Sequence, residues 1–271
     1  MQVATVDVNG ARLRCWSQGE GPPVLLLAPA ASRAALWDLH QVPALIRAGY
    51  RVVTFDHRGT PPCEGPAGSF RLADLVADAA GLIGALGLGP CRIAGSSLGA
   101  MVAQELALVR PDLVVGMALL GTRARTTHFL DQLTVGTAAL VRASADDVAP
   151  RYAATTGMAL LFGRRTLADD DFTRQWLELA MTFPVHGAGP AAQYEAAHFP
   201  SRLDRLTAVE VPTLVLAFTE DLLTPPALCR EVADAIGGAR YVELAGLGHF
   251  GFLEQPEVVN EHLVEFFGQL A

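Results

Sequence analysis

The stretch CRIAGSSLGAMVAQELALV, residues 91–109, joins a buried strand pattern to a helix pattern through a turn with two adjacent serines. The apolar run before the turn predicts a strand, and the run that begins at Leu98 predicts a helix. The turn reads G-x-S-x-G, with Ser97 at the central position between Gly95 and Gly99. Because a strand that passes directly into a helix is the unit of parallel α/β sheets, this stretch predicts that architecture.

The segments on both sides continue the alternation of strands and helices. Asn9-Gly10 separates two strand patterns and predicts a hairpin at the start of the chain. A helical stretch is expected from about Trp37 to Arg47. Buried strand patterns lie at PPVLLLAP, YRVVTFD, VVGMALLG, PTLVLAF and ARYVEL. This order predicts an α/β fold whose central sheet is mostly parallel and is flanked by helices.

The alternation stops between about residues 122 and 211. Apolar residues in that segment recur at helical spacing, as in the series Phe172, Trp176, Leu179, Ala180 and Phe183. We expect a core domain of residues 1–122 and 211–271, with a helical cap, residues 123–210, inserted after the sixth strand. Such a cap would cover the carboxyl ends of the strands, where open α/β sheets bind their ligands.

Ser97 has the position of a nucleophile. A sharp turn from strand to helix strains its central residue and brings neighbouring chain so close that only glycine fits at the flanking positions. The hydroxyl group of Ser97 would project at a helix N-terminus, whose dipole favours a developing negative charge. Ser96 would be the variable position of the motif. The motif alone also fits a glycine-rich turn without chemistry, but the strand–turn–helix context favours the nucleophile.

A serine hydroxyl needs a base to remove its proton and a carboxylate to orient that base. Asp221 follows the strand pattern PTLVLAF, and His249 follows the last strand pattern, ARYVEL. This chain order of serine, acid and histidine occurs in hydrolases with such a nucleophile elbow. Glu220 is a rival for the acid, Asp221 could instead cap the helix after Thr224, and His249 could be a structural loop histidine.

The chain resembles α/β-hydrolase fold proteins over nearly its whole length, and among them the capped, enol-lactonase-like esterases and lactonases. The segments that carry the resemblance are GSSLG, FDHRG (Phe55–Gly59), RLDRLTAVEVPTLVL before Asp221, GLGHF around His249, and LEQPEVVNEHLVEFF. The resemblance implies a catalytic triad of Ser97, Asp221 and His249. It does not specify the substrate.

One segment departs from the pattern of that family. The strand before the first helix usually ends in His-Gly, and this chain has Ala28-Pro29-Ala30 there. Pro29 has no N–H to donate, so we expect the oxyanion hole to use the backbone N–H groups of Ala30 and Leu98. The loss of one such donor would cost roughly 3–4 kcal/mol of transition-state stabilisation. The FDHRG segment is expected to tie a loop through Asp56 and Arg58.

These residues predict a serine hydrolase that cleaves an ester, lactone or thioester of a small, largely apolar substrate through an acyl-enzyme. An alternative keeps the triad and changes the reaction to that of a non-hydrolytic or C–C-bond-cleaving lyase or cyclase of a biosynthetic pathway. A ligand receptor on the same scaffold is a third alternative. Formation of a covalent acyl group on Ser97 during turnover would distinguish hydrolysis from the other two.

The cap is expected to select the substrate. We expect an apolar pocket there, lined by Phe129, Leu133, Trp176 and His198, although most apolar side chains of a cap pack against one another. Arginines of the cap could receive an acidic group of the substrate, but solvated arginines are commoner.

The composition excludes several classes of function. The net charge of −8 argues against binding to nucleic acid or an anionic membrane. All 20 basic residues are arginine, so lysine chemistry such as a Schiff base is excluded. The four cysteines lie far apart, which favours buried thiols over a metal site or disulfides. We expect a cytoplasmic monomer or homodimer that acts on a small molecule, without a cofactor or metal.

Overall fold

The computed structural model describes residues 1–63, 68–143 and 150–270. These residues form one eight-stranded sheet with the order β1-β2-β4-β3-β5-β6-β7-β8. Its strands are β1 (Gln2–Val8), β2 (Ala11–Gln18), β3 (Pro23–Leu27), β4 (Arg51–Phe55), β5 (Cys91–Ser96), β6 (Val114–Leu120), β7 (Thr213–Phe218) and β8 (Arg240–Leu244). Only β2 pairs antiparallel with its neighbours, β1 and β4, and the other pairs are parallel. The predicted α/β fold with a mostly parallel sheet is confirmed.

Helices cover the sheet and fill the long interval between β6 and β7. They are α1 (Gln41–Arg47), α2 (Leu72–Ala85), α3 (Leu98–Val109), α4 (His128–Arg142), α5 (Pro150–Leu161), α6 (Arg164–Leu167), α7 (Asp170–Thr182), α8 (Ala188–Ala196), α9 (Leu203–Leu206), α10 (Pro226–Ala235), α11 (Gly251–Glu254) and α12 (Pro256–Gly268).

Hydrophobic side chains pack on both faces of the sheet. On one face, a core that includes Leu82, Met101 and Val232 joins α2, α3 and α10 to the strands. On the other face, Leu45 of α1 and Leu263 of α12 belong to a second core. Burial on both faces explains why the strands have continuous apolar sequences rather than alternating ones.

The expected helical stretch from Trp37 to Arg47 consists of two elements. A 3₁₀ turn covers Ala34–Leu39, and α1 begins only at Gln41, after a break at His40. Pro43 explains the break, because it has no N–H for the bond that a continuous helix would need at that position. Proline is tolerated within the first turn, so a new helix can start just before it.

The hairpin at Asn9-Gly10 is confirmed. β1 pairs with β2 from Val8–Ala11 outward, and the two turn residues have φ angles of 48° and 72°. Two consecutive positive φ values are what a two-residue hairpin turn of the right twist requires, and Asn-Gly is the pair that supplies them most easily.

Helices α4 to α9 form an insert between β6 and β7, and residues 144–149 of this interval lie outside the described part. Within the insert, α4 packs on α8 and α5 packs on α7. The rings of Phe162, Phe172 and Trp176 form a cluster that also contacts Phe250, the residue after His249. This cluster joins the second half of the insert to the loop that follows β8.

The four cysteines are free thiols, and Cys15, Cys91 and Cys229 are buried. Burial raises the pKa of Cys91 and of Cys229 to about 12, so both thiols stay protonated at neutral pH. They therefore act as small packing residues and not as nucleophiles. Among the described residues, no helix combines the length and apolar character that crossing a membrane requires.

Candidate active site

Ser97 lies between β5 and α3 in a conformation that L-amino acids rarely adopt. Its φ and ψ angles are 53° and −115°, and a serine held there stores roughly 1–3 kcal/mol of strain. Two carbonyl groups hold the residue in place, because the N–H of Ser97 points at the oxygens of Leu120 and Gly121, at 3.0 Å and 3.2 Å. The strained turn lifts the side chain to the carboxyl edge of the sheet, where it is only half-buried.

The glycines on both sides of Ser97 are required by close backbone contacts. A Cβ atom on Gly95 would overlap the carbonyl group of Gly99. A Cβ atom on Gly99 would overlap the carbonyl group of Leu27, the last residue of β3. The G-x-S-x-G pattern therefore has the steric origin that the sequence indicates.

The neighbouring serine has a different environment. Ser96 is completely buried, and its hydroxyl oxygen has no hydrogen-bond partner among the described residues. It belongs to the end of β5 and faces the interior rather than the edge of the sheet. Of the two serines, only Ser97 reaches a place where a substrate could meet it.

Asp221 and His249 form a buried pair. Nδ1 of His249 donates to Oδ2 of Asp221 at 2.8 Å, and both side chains are almost completely shielded from solvent. The hydroxyl of Thr224 donates to the same carboxylate oxygen at 2.6 Å. The other oxygen, Oδ1, accepts the backbone N–H groups of Leu223 and Thr224, both at 2.8 Å. The orientation of the carboxylate is thus fixed by four donors.

The charge state of Asp221 follows from these contacts. Burial favours the protonated acid, but the charge of His249 and the hydrogen bonds from His249 and Thr224 outweigh it and lower the pKa of Asp221. The carboxylate is therefore ionised at neutral pH and can stabilise a positive imidazolium.

Gly121 connects Ser97 to this pair. It has a φ angle of 54°, and a Cβ atom there would lie 3.0 Å from Oγ1 of Thr224 and 3.1 Å from Oδ2 of Asp221. Its carbonyl oxygen accepts the N–H of Ser97. One backbone residue thus lies against both parts of the site, and any side chain on it would push the acid and the histidine away.

The hydrogen bonds of His249 run through Nδ1, to Asp221 and Thr224, which leaves Nε2 for Ser97. Among the described residues, no hydrogen bond joins Ser97 and His249. Active sites without substrate often hold this pair further apart than in the reacting complex.

Glu254 fixes the loop of His249 to the insert. Oε1 of Glu254 accepts the N–H of Gly248 at 2.6 Å, and Oε2 accepts the N–H of Gly163 at 2.9 Å and the hydroxyl of Thr166. The N–H of Phe250 donates to the carbonyl of Leu161 at 2.8 Å. Burial raises the pKa of Glu254 in spite of these donors. Phe250 is therefore bonded directly to the end of α5, and Gly248 is linked through Glu254 to Gly163 between α5 and α6.

Glu220, the rival acid, is engaged elsewhere. Its carboxylate accepts the backbone N–H and the guanidinium of Arg164, at 2.6 Å and 2.8 Å. The side-chain hydrogen bond from Arg164 lowers the pKa of Glu220. The structure thus brings Asp221 and not Glu220 to the histidine.

The turn after β3 presents a backbone donor. The N–H of Ala31, which has a φ angle of 56°, donates to Oε1 of Gln193 at 2.6 Å. Among the described residues, the N–H groups of Ala30 and Leu98 have no hydrogen-bond partner, and Leu98 is the first residue of α3. These are the two groups that the sequence indicates for an oxyanion hole.

Side chains of the FDHRG segment form hydrogen bonds to the turn after β3. Asp56 accepts the N–H of Ala34 at 2.8 Å, and Nε2 of buried His57 donates to the carbonyl of Ala28 at 3.2 Å. Arg58 forms a buried ion pair with Asp78 of α2. All three side chains are used to hold backbone and elements together, in agreement with a structural role.

The four residues predicted to line a pocket lie in different environments. Phe129 is 63% exposed and Leu133 is half-buried, both on α4. Trp176 packs against Phe162 at 4.9 Å between ring centroids. His198 pairs with Asp131 at 2.5 Å beside a surface groove of about 460 Å³. Neither Ser97 nor His249 lines that groove, so a role of these four residues in binding stays a prediction.

Four residues that shape the site were not singled out from the sequence. Gly121, Thr224, Gln193 and Glu254 all contact the proposed catalytic residues or their loops. Only Thr224 could have been found, because a hydroxyl three residues after an acid at a helix start is a common capping pattern.

The fold and the site define a class of protein. The family model for the alpha/beta hydrolase family matches residues 24–262. The chain therefore belongs to the alpha/beta hydrolase family.

Individual relatives are similar over almost the full length. The "Putative non-heme bromoperoxidase BpoC" of Mycobacterium tuberculosis is 38% identical over 253 residues, which cover 93% of this chain and 96% of that protein. Its crystal structure has a TM-score of 0.88, with coverage of 96% of both chains. The enol-lactonase from Burkholderia xenovorans LB400 is 27% identical, with a TM-score of 0.84 and coverage of 98% and 100%.

A further relative is named for the hydrolysis of a different kind of substrate, a carbamate. The "Putative carbamate hydrolase RutD" of Azorhizobium caulinodans is 28% identical over 256 residues, which cover 93% of both chains. The family and these relatives support an enzyme with hydrolase activity.

Proposed function

We propose that the protein is a serine hydrolase that cleaves an ester, lactone or thioester of a small, largely apolar substrate. The observation that carries the proposal is the strained Ser97, which shares Gly121 as a neighbour with His249 and the buried carboxylate of Asp221 that accepts its hydrogen bond. Backbone strain of this kind is kept where the surrounding structure enforces it, and it is concentrated at functional sites.

The proposed reaction starts at the hydroxyl of Ser97. Nε2 of His249 takes the hydroxyl proton while Oγ attacks the substrate carbonyl carbon. The imidazolium formed in this step is stabilised by the ionised Asp221 and then gives its proton to the departing alkoxide or thiolate. Water, deprotonated by His249, attacks the acyl-enzyme, and collapse of the second tetrahedral intermediate returns the proton to Ser97.

The N–H groups of Ala30 and Leu98 would stabilise the oxyanion. Both are backbone donors without a partner among the described residues, and Leu98 also lies at the N-terminus of α3, where the helix dipole favours negative charge. Because Ala30 does not need a particular side chain to donate, the replacement of His-Gly by Ala28-Pro29 leaves this function intact.

An apolar substrate is favoured by the insert. Phe250, the residue after His249, packs against the rings of Phe162 and Trp176 of the insert, so the surroundings of the proposed base are apolar. The named activity of one relative, an enol-lactonase, involves a lactone, and that of another, a carbamate hydrolase, involves a related acyl group. These relatives support attack on an activated carbonyl group.

Intact-protein mass spectrometry after reaction with a fluorophosphonate probe tests the nucleophile. Wild type should gain the mass of one phosphonyl group, Ser97→Ala should gain none, and Ser96→Ala is the matched control that should label like wild type. Absence of an adduct on wild type would contradict an activated serine and favour the lyase or receptor alternatives.

A panel of p-nitrophenyl acetate, a γ-lactone and an acetyl thioester tests the reaction. Hydrolysis should depend on Ser97, and rapid acid quenching should trap an acetyl group on it. Turnover of none of the three by a protein that does label would contradict the proposed substrate class.

A further inference from the structure

Gln193 is a buried side chain of the insert that contacts two loops of the sheet. It lies on α8 and is completely buried. Oε1 accepts the N–H of Ala31 at 2.6 Å, while Nε2 donates to the carbonyl of Arg58 at 2.8 Å and to the hydroxyl of Thr60 at 2.9 Å. All three bonds lead away from its own helix, to the turn after β3 and the loop after β4.

The second of these loops is a rigid anchor. Gly59 and Gly189 are so close that a Cβ atom on Gly59 would lie 2.7 Å from the carbonyl oxygen of Gly189. Arg58 is held by both carboxylate oxygens of Asp78 and donates to the carbonyl of Asn9. The amide group of Gln193 therefore reaches Ala31 from a fixed position.

The first loop needs such support. Ala31 has a φ angle of 56°, and a left-handed conformation costs a residue with a Cβ atom roughly 1–2 kcal/mol. The bond to Gln193 fixes the peptide group between Ala30 and Ala31, and with it the ψ angle of Ala30. The free N–H of Ala30 belongs to the preceding peptide group, so its direction depends on this arrangement.

We propose that Gln193 is a positioning residue that holds the N–H of Ala30 in the oxyanion hole. The hole is then complete only when α8 is docked on the loops of the sheet, so the insert takes part in catalysis as well as covering the site. This inference rests on the proposed function, because it assumes that Ala30 binds an oxyanion.

The expected effect lies in the transition state. A donor displaced by about 1 Å can cost up to about 100-fold in rate, so Gln193→Met should lower kcat for p-nitrophenyl acetate by about 10- to 100-fold. The same variant should leave KM within about threefold of wild type, because the donor acts mainly on the developing oxyanion.

Gln41→Met is the matched control. Gln41 is also completely buried, and its amide donates to the carbonyl of Phe252 and to Asn260, away from the turn after β3. This variant should lose stability, measured by urea unfolding, without a comparable fall in kcat.

Phenylboronic acid, which forms a tetrahedral adduct with an activated serine, gives a second measurement. Its inhibition constant should rise in Gln193→Met in proportion to the fall in kcat and stay near the wild-type value in Gln41→Met. Equal kcat and equal inhibition constants in the two variants would overturn the proposal.

Thr60→Val serves if Gln193→Met does not fold. It removes one of the two acceptors that hold Nε2 of Gln193, so the amide is less firmly oriented and its bond to Ala31 is weakened. We expect kcat to fall several-fold while KM is unchanged, and a wild-type kcat would overturn the inference.

Fluorophosphonate labelling and ester hydrolysis by wild type distinguish a failure of the proposed function from a failure of the role of Gln193. If wild type shows neither, the proposed function fails and this inference with it, whereas an active wild type with an equally active Gln193→Met refutes only the role of Gln193.

Discussion

The backbones of Gly163 and Gly248 lie against each other where the insert meets the loop of His249. A Cβ atom on Gly248 would be 2.5 Å from the nitrogen of Gly163. Glu254 accepts the N–H groups of both glycines, at 2.9 Å and 2.6 Å. The loop that carries the proposed base is therefore held by the insert as well as by the sheet.

Gly248→Ala should weaken this contact. The added methyl group would meet backbone atoms that cannot rotate away, so we expect the free energy of unfolding to fall by about 1–3 kcal/mol. The displacement of the neighbouring His249 should also lower kcat for ester hydrolysis. Urea unfolding and steady-state kinetics measure the two effects. In Gly237→Ala the new methyl group meets no atom within 4 Å, so equal behaviour of the two variants would contradict the proposed contact.

Asp221→Asn and Glu220→Gln should separate the two adjacent acids. The first removes the negative charge beside the imidazolium, and the corresponding change in a well-studied Ser-His-Asp enzyme lowers kcat by about 10⁴-fold. The second weakens an ion pair with Arg164, whose side chain is largely exposed, and ion pairs in contact with solvent contribute little. We therefore expect kcat of Glu220→Gln close to wild type. If kcat fell as much in Glu220→Gln as in Asp221→Asn, the proposal that Asp221 alone is the acid of the triad would be wrong.

The features that could be predicted from the sequence depend on contacts between nearby residues or on strand order. The glycines around Ser97 are needed because β5 turns into α3 within a few residues. The contact between Asp221 and His249 could be expected because each follows a buried strand, and the carboxyl ends of parallel strands meet at one edge. The hairpin at Asn9-Gly10 follows from the φ angles of two residues alone.

The features that could not be predicted join residues that are distant in the chain. Gln193 reaches Ala31 across 162 positions, and Glu254 reaches Gly163 across 91. A single glutamine in a helix has many possible partners, and only the docking of α8 selects one of them. The exposure of a side chain likewise depends on how the helices of the insert pack. Phe129 and Trp176 were both predicted to line a pocket, but Phe129 is exposed and Trp176 packs against Phe162.

Ser96→Ala should not destabilise the protein. The hydroxyl of Ser96 is buried without a partner among the described residues, and a buried polar group in that condition costs about 1–3 kcal/mol. Its removal should leave the free energy of unfolding unchanged or raise it, as measured by urea titration. Ser97→Ala is the comparison, because its hydroxyl is half-buried at the edge of the sheet. A marked loss of stability in Ser96→Ala would indicate a hydrogen bond that this arrangement lacks.

His57 should make the stability of the protein depend on pH. The imidazole is completely buried beside Phe55, and burial lowers its pKa from about 6.5 to about 4. Between these two values the unfolded chain binds a proton that the folded chain does not bind. The free energy of unfolding should therefore decrease as the pH falls through this window, by about 3 kcal/mol in total.

His57→Gln removes the titrating group and keeps a donor for the carbonyl of Ala28. Urea unfolding at intervals from pH 7 to pH 4 should show a smaller loss of stability in this variant than in wild type, because the imidazole is absent. Buried carboxyl groups such as Glu254 and Asp56 are present in both proteins, so their contribution cancels in the comparison. His186→Gln, a change on the surface of the insert, should retain the wild-type dependence on pH. If the free energy of unfolding falls by the same amount in wild type and in His57→Gln over this range, the folded and unfolded chains protonate His57 alike. The assignment of a buried, neutral imidazole beside the turn after β3 would then be wrong.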